Sequence, residues 1–496
     1  MTDTAPTPTA LSTAPSGRTS RATPPSARAR PGRLLALLLT GQFMALLDVS
    51  IVNVAAPTLR TDLHASGSGL QLVIAGYTIA YAVLLITGSR LGDLFGFAAM
   101  FRLGLAGFTL ASLACGLAPT TGTLIGFRIV QGAAAALMVP QVISLIQRGF
   151  SGAARVRALG AYTSVLAFGM VAGQVIGGLL VGTGLFDGVL AGAQWRPAFL
   201  VNVPIGLALL LAVRRRLPAG GGDAARALDL PGLVLLAGAV FLVVLPLVLG
   251  HEEDWPLWGW LMLAAGTAAG AVFALVQRRV AARGGDPLID PAVLRSAGLA
   301  PAGAAIFLLM MGVGGCFLAL TLHLQSGLGD SPLVSGLRLV PMAACFGLAG
   351  LSWRRLPERW HAALPVVALL VAAPGYLLLA GEVAGGQAAG AGVLVVTAVL
   401  GAAGGCSYGP LMAGALRHVP PRHAADASGV IVTLVQLGQV VGVATLGTLF
   451  LASVTRPGPA ATGHALALVA GGIAALSLVA AAVTLLSVRR RTVPDA

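Results

Sequence analysis

Residues 34–57 read LLALLLTGQFMALLDVSIVNVAAP, a continuous apolar run with a single carboxylate, Asp48, near its middle. A helix of about 20 apolar residues is long enough to cross the hydrocarbon core of a bilayer. A carboxylate at that depth costs about 2.5–3.5 kcal/mol on insertion scales, so such acids are rare and commonly functional. The run predicts a membrane-spanning helix whose aspartate either has a function or is tolerated at a helix contact.

Apolar runs of similar length recur along the chain and predict an all-α polytopic membrane protein. Apolar residues make up 57% of the sequence and charged residues only 10%. The 67 glycines fit the close helix packing that small residues allow in lipid. We predict about fourteen spans, at residues 34–57, 70–90, 99–118, 122–147, 158–184, 197–213, 231–250, 257–277, 299–322, 333–352, 362–381, 390–416, 428–452 and 464–488.

The placement of arginine predicts the orientation of these spans. If the N-terminus is inside, nearly all loop and tail arginines fall on the inner side, and only Arg60, Arg196 and Arg456 fall outside. The positive-inside rule then favours an even number of spans with both termini in the cytoplasm. The six tryptophans lie at predicted span ends, where an aromatic belt belongs.

Composition also argues against several partners and cofactors. The net charge of +14 is accounted for by orientation signals facing an anionic inner leaflet, so nucleic acid is not an expected partner. The chain contains no lysine and so lacks the phosphate-binding loop of nucleotide-driven pumps. The four cysteines lie inside predicted spans without metal-like spacing, and most histidines fall in loops, so we expect no metal site.

Short motifs occur in a definite order along the predicted topology. They are the segment Leu47–Pro57 in span one, Ser89–Gly96 after span two, Arg128–Gly132 in span four, Gly169–Gly178 in span five, Trp195–Pro204 at span six, and residues 324–341 between spans nine and ten. Together they resemble the major facilitator superfamily, specifically its fourteen-span drug/proton antiporters. Two motifs depart from the family pattern, because Ser89 stands where glycine is usual and Gln174 where proline is usual.

The resemblance implies the major facilitator fold, in which two six-helix bundles are joined by two extra inserted helices. The corresponding divisions are a disordered tail at 1–33, a first bundle at 34–213, a linker with the extra helices at 214–298, a second bundle at 299–488 and a tail at 489–496. We expect the extra helices to form a peripheral hairpin outside the pathway. The resemblance also implies a monomer in the bacterial cytoplasmic membrane.

Ionisable residues inside or beside the spans are the first candidates for function. A proton-coupled transporter needs a carboxyl that is protonated in one conformation and ionised in another, and Asp48 fits that need. Arg128 either changes the charge state of Asp48 when the two approach, or is a fixed strut between helices. Asp93, with Arg90 and Gly96 in the loop motif, either locks one conformation or is a solvated loop acid.

A second group of candidates is uncharged. Gly169, Gly173 and Gly177 are spaced four residues apart and share one helix face. With Gln174 and Gly178 they resemble the antiporter motif of the family, which seals, bends or simply packs. Polar residues near mid-span either line a substrate cavity or form interhelical hydrogen bonds; they are Gln42, Asn53, Tyr77, Tyr81, Gln131, Gln174, Tyr408 and Gln436. Arg338 either snorkels to the outer interface or faces the cavity.

We therefore expect an antiporter that exchanges inward protons for hydrophobic, often cationic, drugs or antibiotics by alternating access. Its partners are an amphipathic small molecule, protons and the bilayer, and its energy source is the proton gradient without a cofactor. An alternative is a dedicated exporter of one endogenous antibiotic, siderophore or lipid. A membrane enzyme or sensor on a similar scaffold is a more remote alternative, since the sequence shows no clustered catalytic groups and no stretch long enough for a signalling domain.

Overall fold

The structure is a computed structural model, and every described element in it is helical. It describes residues 31–182, 194–216, 229–250, 255–285, 287–288, 298–386, 390–417, 419, 424–454, 456 and 458–492. Nearly all of the predicted tail at 1–33, and the end of the chain from residue 493, lie outside the described residues.

The helices follow the predicted spans closely. They are α1 (Pro31–Asp62), α2 (Gly67–Phe95), α3 (Phe97–Gly116), α4 (Thr121–Gly149), α5 (Gly152–Gly182), α6 (Arg196–Leu200), α7 (Asn202–Arg216), α8 (Leu230–Leu249), α9 (Leu257–Ala282), α10 (Leu299–Leu322), α11 (Pro332–Ser352), α12 (Glu358–His361), α13 (Leu364–Val383), α14 (Ala391–Leu416), α15 (Ala424–Ser453) and α16 (Pro459–Thr492). A π-helical turn at His323–Gly327 extends α10, and a short 3₁₀ turn at Trp353–Arg355 follows α11.

Most of these helices can cross a membrane. Within the described residues, twelve are long and apolar enough, and α5 makes a thirteenth if its two parts, bent by 42°, count as one span. A shorter apolar stretch, Pro231–Leu247, lies in α8 where the seventh span was predicted. The structure is therefore compatible with fourteen spans.

Short polar side chains set where several helices begin. The Ser66 hydroxyl accepts from the Gly69 N–H at the start of α2, and Ser331 accepts from Val334 at the start of α11. Thr120 and Thr123 form a reciprocal capping box at the start of α4. Such caps satisfy N–H groups that have no partner within the helix, which matters most beside an apolar phase.

The two halves of the molecule repeat the same packing. In the first half α1 packs on α5, α2 on α4, and α3 on α7. In the second half the corresponding pairs are α10 with α15, α11 with α14, and α13 with α16. The contacts between the halves are also repeated. Helix α5 of the first half packs on α11 of the second, and their counterparts in the opposite halves, α15 and α2, pack on each other. Such a repeat is the arrangement expected from the resemblance to the major facilitator superfamily.

Glycine makes the closest of these approaches possible. A Cβ atom at Gly88 of α2 would overlap the Ala136 carbonyl of α4. In the second half, a Cβ at Gly401 of α14 would overlap the Met342 carbonyl of α11. Both equivalent helix pairs therefore contain a close backbone-to-backbone approach, as small residues allow in membranes.

The inserted helices α8 and α9 pack on each other but differ in their surroundings. Only 17% of the apolar window of α9 is buried, as expected of a peripheral helix. By contrast, Val240 and Val244 of α8 form one apolar cluster with Ile79 of α2 and Val440 of α15. Helix α8 therefore packs on both halves, whereas the sequence predicted a peripheral hairpin.

Candidate functional site: a buried carboxylate and a mid-membrane chamber

Asp48 and Arg128 meet in the core of the first half. Their side chains are 0% and 1% exposed, respectively. The Arg128 Nη1 donates to Asp48 Oδ2 at 2.5 Å, and its Nε donates to the Val73 carbonyl at 3.0 Å. Arg128 therefore holds together α4, α1 and α2.

Two amides complete the shell around the carboxylate. Gln131 Nε2 donates to Asp48 Oδ1 at 2.8 Å and to Ser112 Oγ at 2.8 Å, while its Oε1 accepts from Arg128 Nη1 at 2.6 Å. Asn202 Nδ2 donates to Asp48 Oδ1 at 2.9 Å. Residues of α1, α2, α3, α4 and α7 thus converge on one acid.

Aromatic rings enclose the arginine. The guanidinium carbon of Arg128 lies 4.6 Å from the ring centroid of Tyr77 and 5.7 Å from that of Phe199. Cations are attracted to aromatic faces, and the attraction is stronger where water is excluded. The rings therefore stabilise the charge of Arg128 on the sides that its hydrogen bonds leave open.

This geometry lets a single proton change the energy of the whole network. An ionised carboxylate is an acceptor only, which suits the three N–H donors around Asp48. A proton on Asp48 would remove the charge that balances Arg128, and a buried charge without its partner costs about 3–5 kcal/mol. Protonation would therefore favour any arrangement of the helices that separates Arg128 from Asp48.

Sequence reasoning named Asp48, Arg128, Gln131 and Tyr77 but missed two members of the network. Ser112 and Asn202 are both fully buried and bond to the network directly. Asn202 lies 154 residues from Asp48 in the chain. Its place in the span-six motif was the available signal, but nothing local to that motif indicates which helix it faces.

The loop motif lies at the arginine-rich end of α2. Arg90 Nη1 is 3.6 Å from Asp93 Oδ2, and Arg90 Nη2 donates to the Pro287 carbonyl at 2.6 Å. Gly96, which separates α2 from α3, has φ of 92°, a conformation that favours glycine. The motif therefore joins the end of α2 to the segment that leads from the inserted helices to the second half.

The antiporter motif packs on both halves. Cβ atoms at Gly169 and Gly177 would lie 2.8 Å from Leu46 Cβ and 3.2 Å from Val54 Cβ of α1, and Gly173 faces Ser50 between them. On another face of α5, Gly178 meets Leu333 of α11, and Gln325 Nε2 donates to Gln174 Oε1 at 3.4 Å. Close packing on the helix that carries Asp48 is thus combined with contact across the two halves.

The remaining predicted cavity residues are dispersed. Gln436 Nε2 of α15 donates to the Tyr81 hydroxyl of α2 at 3.2 Å, a hydrogen bond between the halves. Asn53 is exposed and bonds to the Val49 carbonyl of its own helix at 3.1 Å. Gln42 and Tyr408 are each 1% exposed. Arg338 forms an ion pair with Asp330, which precedes α11, at 3.2 Å.

A chamber lies instead around the middle of the second-half helices. It is lined by residues from α5, α10, α11, α13, α14, α15 and α16, and its volume is about 70 Å³. Its rings come from Phe317, Phe346 and Tyr376. None of the predicted cavity residues lines this chamber, because its walls come mainly from apolar positions that sequence reasoning could not distinguish from ordinary core.

A wider vestibule opens at the arginine-rich end of the molecule. Its lining includes Arg148, Arg155, Arg354 and Arg417 against one acid, Glu358. The vestibule reaches Thr163 of α5 and Gly409 of α14, three and two residues in sequence from Leu166 and Ser407 in the chamber wall. Among the described residues, no group of His, Cys, Asp or Glu is placed to hold a metal ion.

Comparisons with known proteins agree with this architecture. Residues 38–443 match the family model described as Major Facilitator Superfamily. A probable actinorhodin transporter of Streptomyces coelicolor is 38% identical over 86% of this chain and 73% of its own length. A puromycin resistance protein of Streptomyces alboniger is 36% identical over 84% of this chain and 80% of its own length.

Among solved structures, the human organic anion transporter MFSD10 superposes with a TM-score of 0.63, covering 92% of this chain and 100% of that one at 15% identity. That likeness shows the fold alone. The family match and the bacterial relatives confirm the resemblance seen in the motifs. The chain belongs to the Major Facilitator Superfamily and is a membrane transporter, not an enzyme.

Proposed function

We propose that this protein is a proton-coupled antiporter that exports hydrophobic drugs or antibiotics across the bacterial cytoplasmic membrane by alternating access. The observation that carries the proposal is the buried pair of Asp48 and Arg128, which ties four other helices to one protonatable group. The protein acts as a monomer with both termini in the cytoplasm, the orientation favoured by its arginine placement.

In this cycle, a proton from outside neutralises Asp48 and releases Arg128 from it. The first half can then rearrange against the second half, and loss of the proton to the cytoplasm restores the pair. Each proton brings about 2.3 kcal/mol per 100 mV and about 1.36 kcal/mol per pH unit, enough to concentrate an exported molecule severalfold or more.

The arginine-rich end supports the cytoplasmic assignment and a gating role for the loop motif. Arg90 is 9% and Asp93 6% exposed, so neither is a simple solvated surface residue. Their link to Pro287 connects the end of α2 with the chain entering the second half. We expect that link to change when the first half moves against the second.

A second candidate function is export of one endogenous product. The relative from Streptomyces coelicolor is described as a probable actinorhodin transporter, and the one from Streptomyces alboniger as a puromycin resistance protein. Both descriptions concern single antibiotics. They favour a narrow substrate range as an alternative to multidrug export, with the same proton-coupling site.

The test is efflux from energised bacterial cells that lack their own drug exporters. Cells expressing the wild type or Asp48→Asn are loaded with Nile red or ethidium, and efflux is followed with and without a protonophore. We expect efflux of at least one dye that the protonophore abolishes and that Asp48→Asn lacks, because the amide cannot take up and release the proton.

Asp62→Asn is the matched control, since Asp62 is an exposed acid at the end of the same helix. It should export as the wild type does. Efflux from Asp48→Asn that equals the wild type and remains protonophore-sensitive would refute the assigned role of Asp48. Absence of efflux of either dye from a correctly inserted wild type would favour the dedicated exporter.

A further inference from the structure

A histidine is buried at the end of α10, in the π-helical turn His323–Gly327. His323 is 1% exposed, and its Nδ1 lies 3.0 Å from the Thr462 hydroxyl oxygen of α16. The Thr462 hydroxyl already donates its proton to the carbonyls of Gly458 and Pro459, both at 3.1 Å. Nδ1 must therefore carry the hydrogen and donate it to Thr462, which leaves Nε2 as the nitrogen that can take up a further proton.

The chain after this turn folds back and brings an acid with it. The Leu328 N–H donates to the His323 carbonyl at 2.9 Å, and the Asp330 N–H donates to the Leu324 carbonyl at 3.0 Å. Asp330 Oδ2 lies 3.2 Å from Arg338 Nη1 of α11. Both of these atoms are buried, and neither forms a hydrogen bond within the described residues. The carboxylate oxygen therefore has unused capacity to accept a hydrogen bond from a second cation.

Few other ionisable groups surround the turn in the part of the chain that the structure describes. The turn packs on α10, α11 and α16. Helix α10 brings no charged side chain, and its Cys316 lies about two turns away. Helix α11 brings Arg338, and the near end of α16 brings His464, which is exposed. A proton on His323 would therefore place two cations beside one carboxylate.

The turn and the segment after it also contact the first half. Gln325 Nε2 in the turn donates to Gln174 Oε1 of α5 at 3.4 Å. Three residues after Asp330, Leu333 packs on Gly178 of α5, where a Cβ atom would lie 2.9 Å from the Leu333 nitrogen. A shift of the segment that carries Asp330 would therefore change the contact between the two halves directly.

This contact lies at the opposite end of the molecule from the vestibule. Helix α10 begins beside the vestibule, whose lining includes Gly298 and Ala302. Its 24 residues then span about 36 Å before the π-helical turn. In the proposed orientation, the turn is at the outer side of the membrane, and its contact with α5 closes that side.

We infer that His323 is a second proton-binding site, which acts through Asp330 and Arg338 to release the outer contact between α5 and the start of α11. The inference rests on the proposed export function for its orientation and role. With the ring neutral, Arg338 keeps Asp330 to itself and the outer contact stays closed.

A proton on Nε2 changes this balance. The imidazolium competes with Arg338 for the single carboxylate, and a buried charge without a full partner is unfavourable. Hydration in an opened arrangement relieves that cost, so the opened arrangement binds the proton more tightly. Histidine changes charge between pH 5 and 8, and acid outside would therefore favour opening of the outer end.

The experiment measures the distance between α5 and α11 at this end by pulsed electron paramagnetic resonance. Nitroxide labels are attached through Leu179→Cys and Val334→Cys, at two exposed positions, in the purified full-length protein in lipid nanodiscs. Alanine replaces Cys345 and Cys406, the two native cysteines that are not fully buried. When the pH is lowered from 8 to 5, we expect the population with the longer distance to rise about threefold or more.

Two variants remove the response at different points. His323→Gln should lose it because an amide does not take up the proton, and Asp330→Asn should lose it because the carboxylate for which the cations compete is gone. His464→Gln is the matched control, since it removes an exposed histidine two residues from Thr462, and it should respond as the wild type does. Gel filtration and thermal unfolding at pH 8 verify that each variant is folded, and either of the two variants is sufficient for the test.

A wild-type distance distribution that is the same at pH 8 and pH 5 would overturn the inference. A response in His323→Gln or in Asp330→Asn as large as that of the wild type would overturn it as well. Any change that arises from Asp48 is present in the wild type and in all three variants, so the comparison isolates the contribution of His323.

The distances are measured without substrate and without a proton gradient, so the result does not depend on the coupling mechanism. Loss of the response in His323→Gln together with wild-type efflux from Asp48→Asn would contradict the proposed proton coupling and leave the second site intact. Efflux that requires Asp48, with an unchanged distance response in His323→Gln, would do the reverse.

Discussion

At the scale of single residues, the main feature is that Arg128 acts through the shape of its guanidinium group as well as through its charge. Its Nε bonds to a backbone carbonyl of α2, while Nη1 serves both Asp48 and Gln131. A guanidinium provides donors along a rigid plane, whereas an ammonium provides one point charge. The position of Asp48 in an apolar run predicts a functional acid, but the donors around it come from helices far apart in the chain.

Arg128→Lys should retain the positive charge but lose most transport. A single nitrogen cannot reach the Val73 carbonyl, Asp48 and Gln131 together, so we expect efflux to fall about tenfold or more, with about 1–3 kcal/mol lost from folding stability. Efflux rates and thermal unfolding in detergent measure the two effects. Arg60→Lys, at an exposed position on α1, is the control and should change neither. Wild-type efflux from Arg128→Lys would show that charge alone is sufficient.

At the scale of elements, α5 connects the half that contains Asp48 to the second half through its glycines. The four-residue spacing of these glycines predicted that they share one helix face. The structure confirms the shared face and shows that α1 packs on it. The spacing could not identify the partner helix, because any neighbour with small or flexible side chains would satisfy it. Gly173 has the least room for a side chain of the three, because a Cβ there would overlap Ser50. Ser50 lies two residues from Asp48.

Gly173→Ala should separate α5 from α1. The added methyl would overlap Ser50 Cβ and lie 3.0 Å from the Leu47 carbonyl, so we expect a loss of about 1–3 kcal/mol in stability and a larger loss of efflux. Gly471→Ala on α16 is the matched control, because a Cβ there meets nothing within 4 Å. It should be neutral or slightly stabilising. Equal unfolding temperatures for the two variants would contradict the close-packing role.

The inserted helices provide a second prediction at this scale. Gln277 of α9 donates to Asp229 Oδ2 at 2.8 Å and accepts from the Leu288 N–H at 2.6 Å, just beyond the Pro287 carbonyl held by Arg90. These bonds hold the segment after α9 against the loop motif. Helix α8 adds an apolar contact with both halves.

Gln277→Leu should free this segment, because the hydrogen bonds to Asp229 and Leu288 are lost at a buried site. We expect trypsin to cleave at the exposed Arg283 at least about threefold faster in nanodiscs, a change that about 0.7 kcal/mol of lost local stability would produce. Thr267→Val is the control, since Thr267 is exposed and bonds only to its own helix. Cleavage at the wild-type rate in Gln277→Leu would mean that other contacts hold the segment.

At the scale of the whole molecule, the two halves meet at two equivalent helix contacts. We call the contact of α2 with α15 the first seam and the contact of α5 with α11 the second seam. The Tyr81 to Gln436 hydrogen bond lies partway along the first seam, and Ser89 faces Gly429 at its arginine-rich end. On the second seam, Ser164 Oγ donates to the Gly347 carbonyl at 2.9 Å. Rocking of the halves requires these contacts to change during each cycle.

A disulfide across the first seam should stop transport. A Cβ at Gly429 would lie 3.3 Å from Ser89 Cβ, near the separation of about 3.5–4.5 Å found in disulfides. We expect the double variant Ser89→Cys with Gly429→Cys to lose efflux on mild oxidation and to regain it on reduction. Each single variant should respond to neither treatment. Full efflux from the oxidised, cross-linked protein would show that this seam does not move.

By itself, the sequence determined the helical membrane fold and the family, and it named Asp48, Arg128, Gln131 and Tyr77 of the buried network. These depend on local quantities, namely the length of apolar runs, the cost of a charge in lipid and the order of short motifs. Only the tertiary structure decided that Asn202 and Ser112 join that network, that α8 contacts both halves, and that the chamber is uncharged. Those outcomes depend on which helix faces which. The sequence of an apolar helix without strong one-sided patterning does not indicate which helices it packs against.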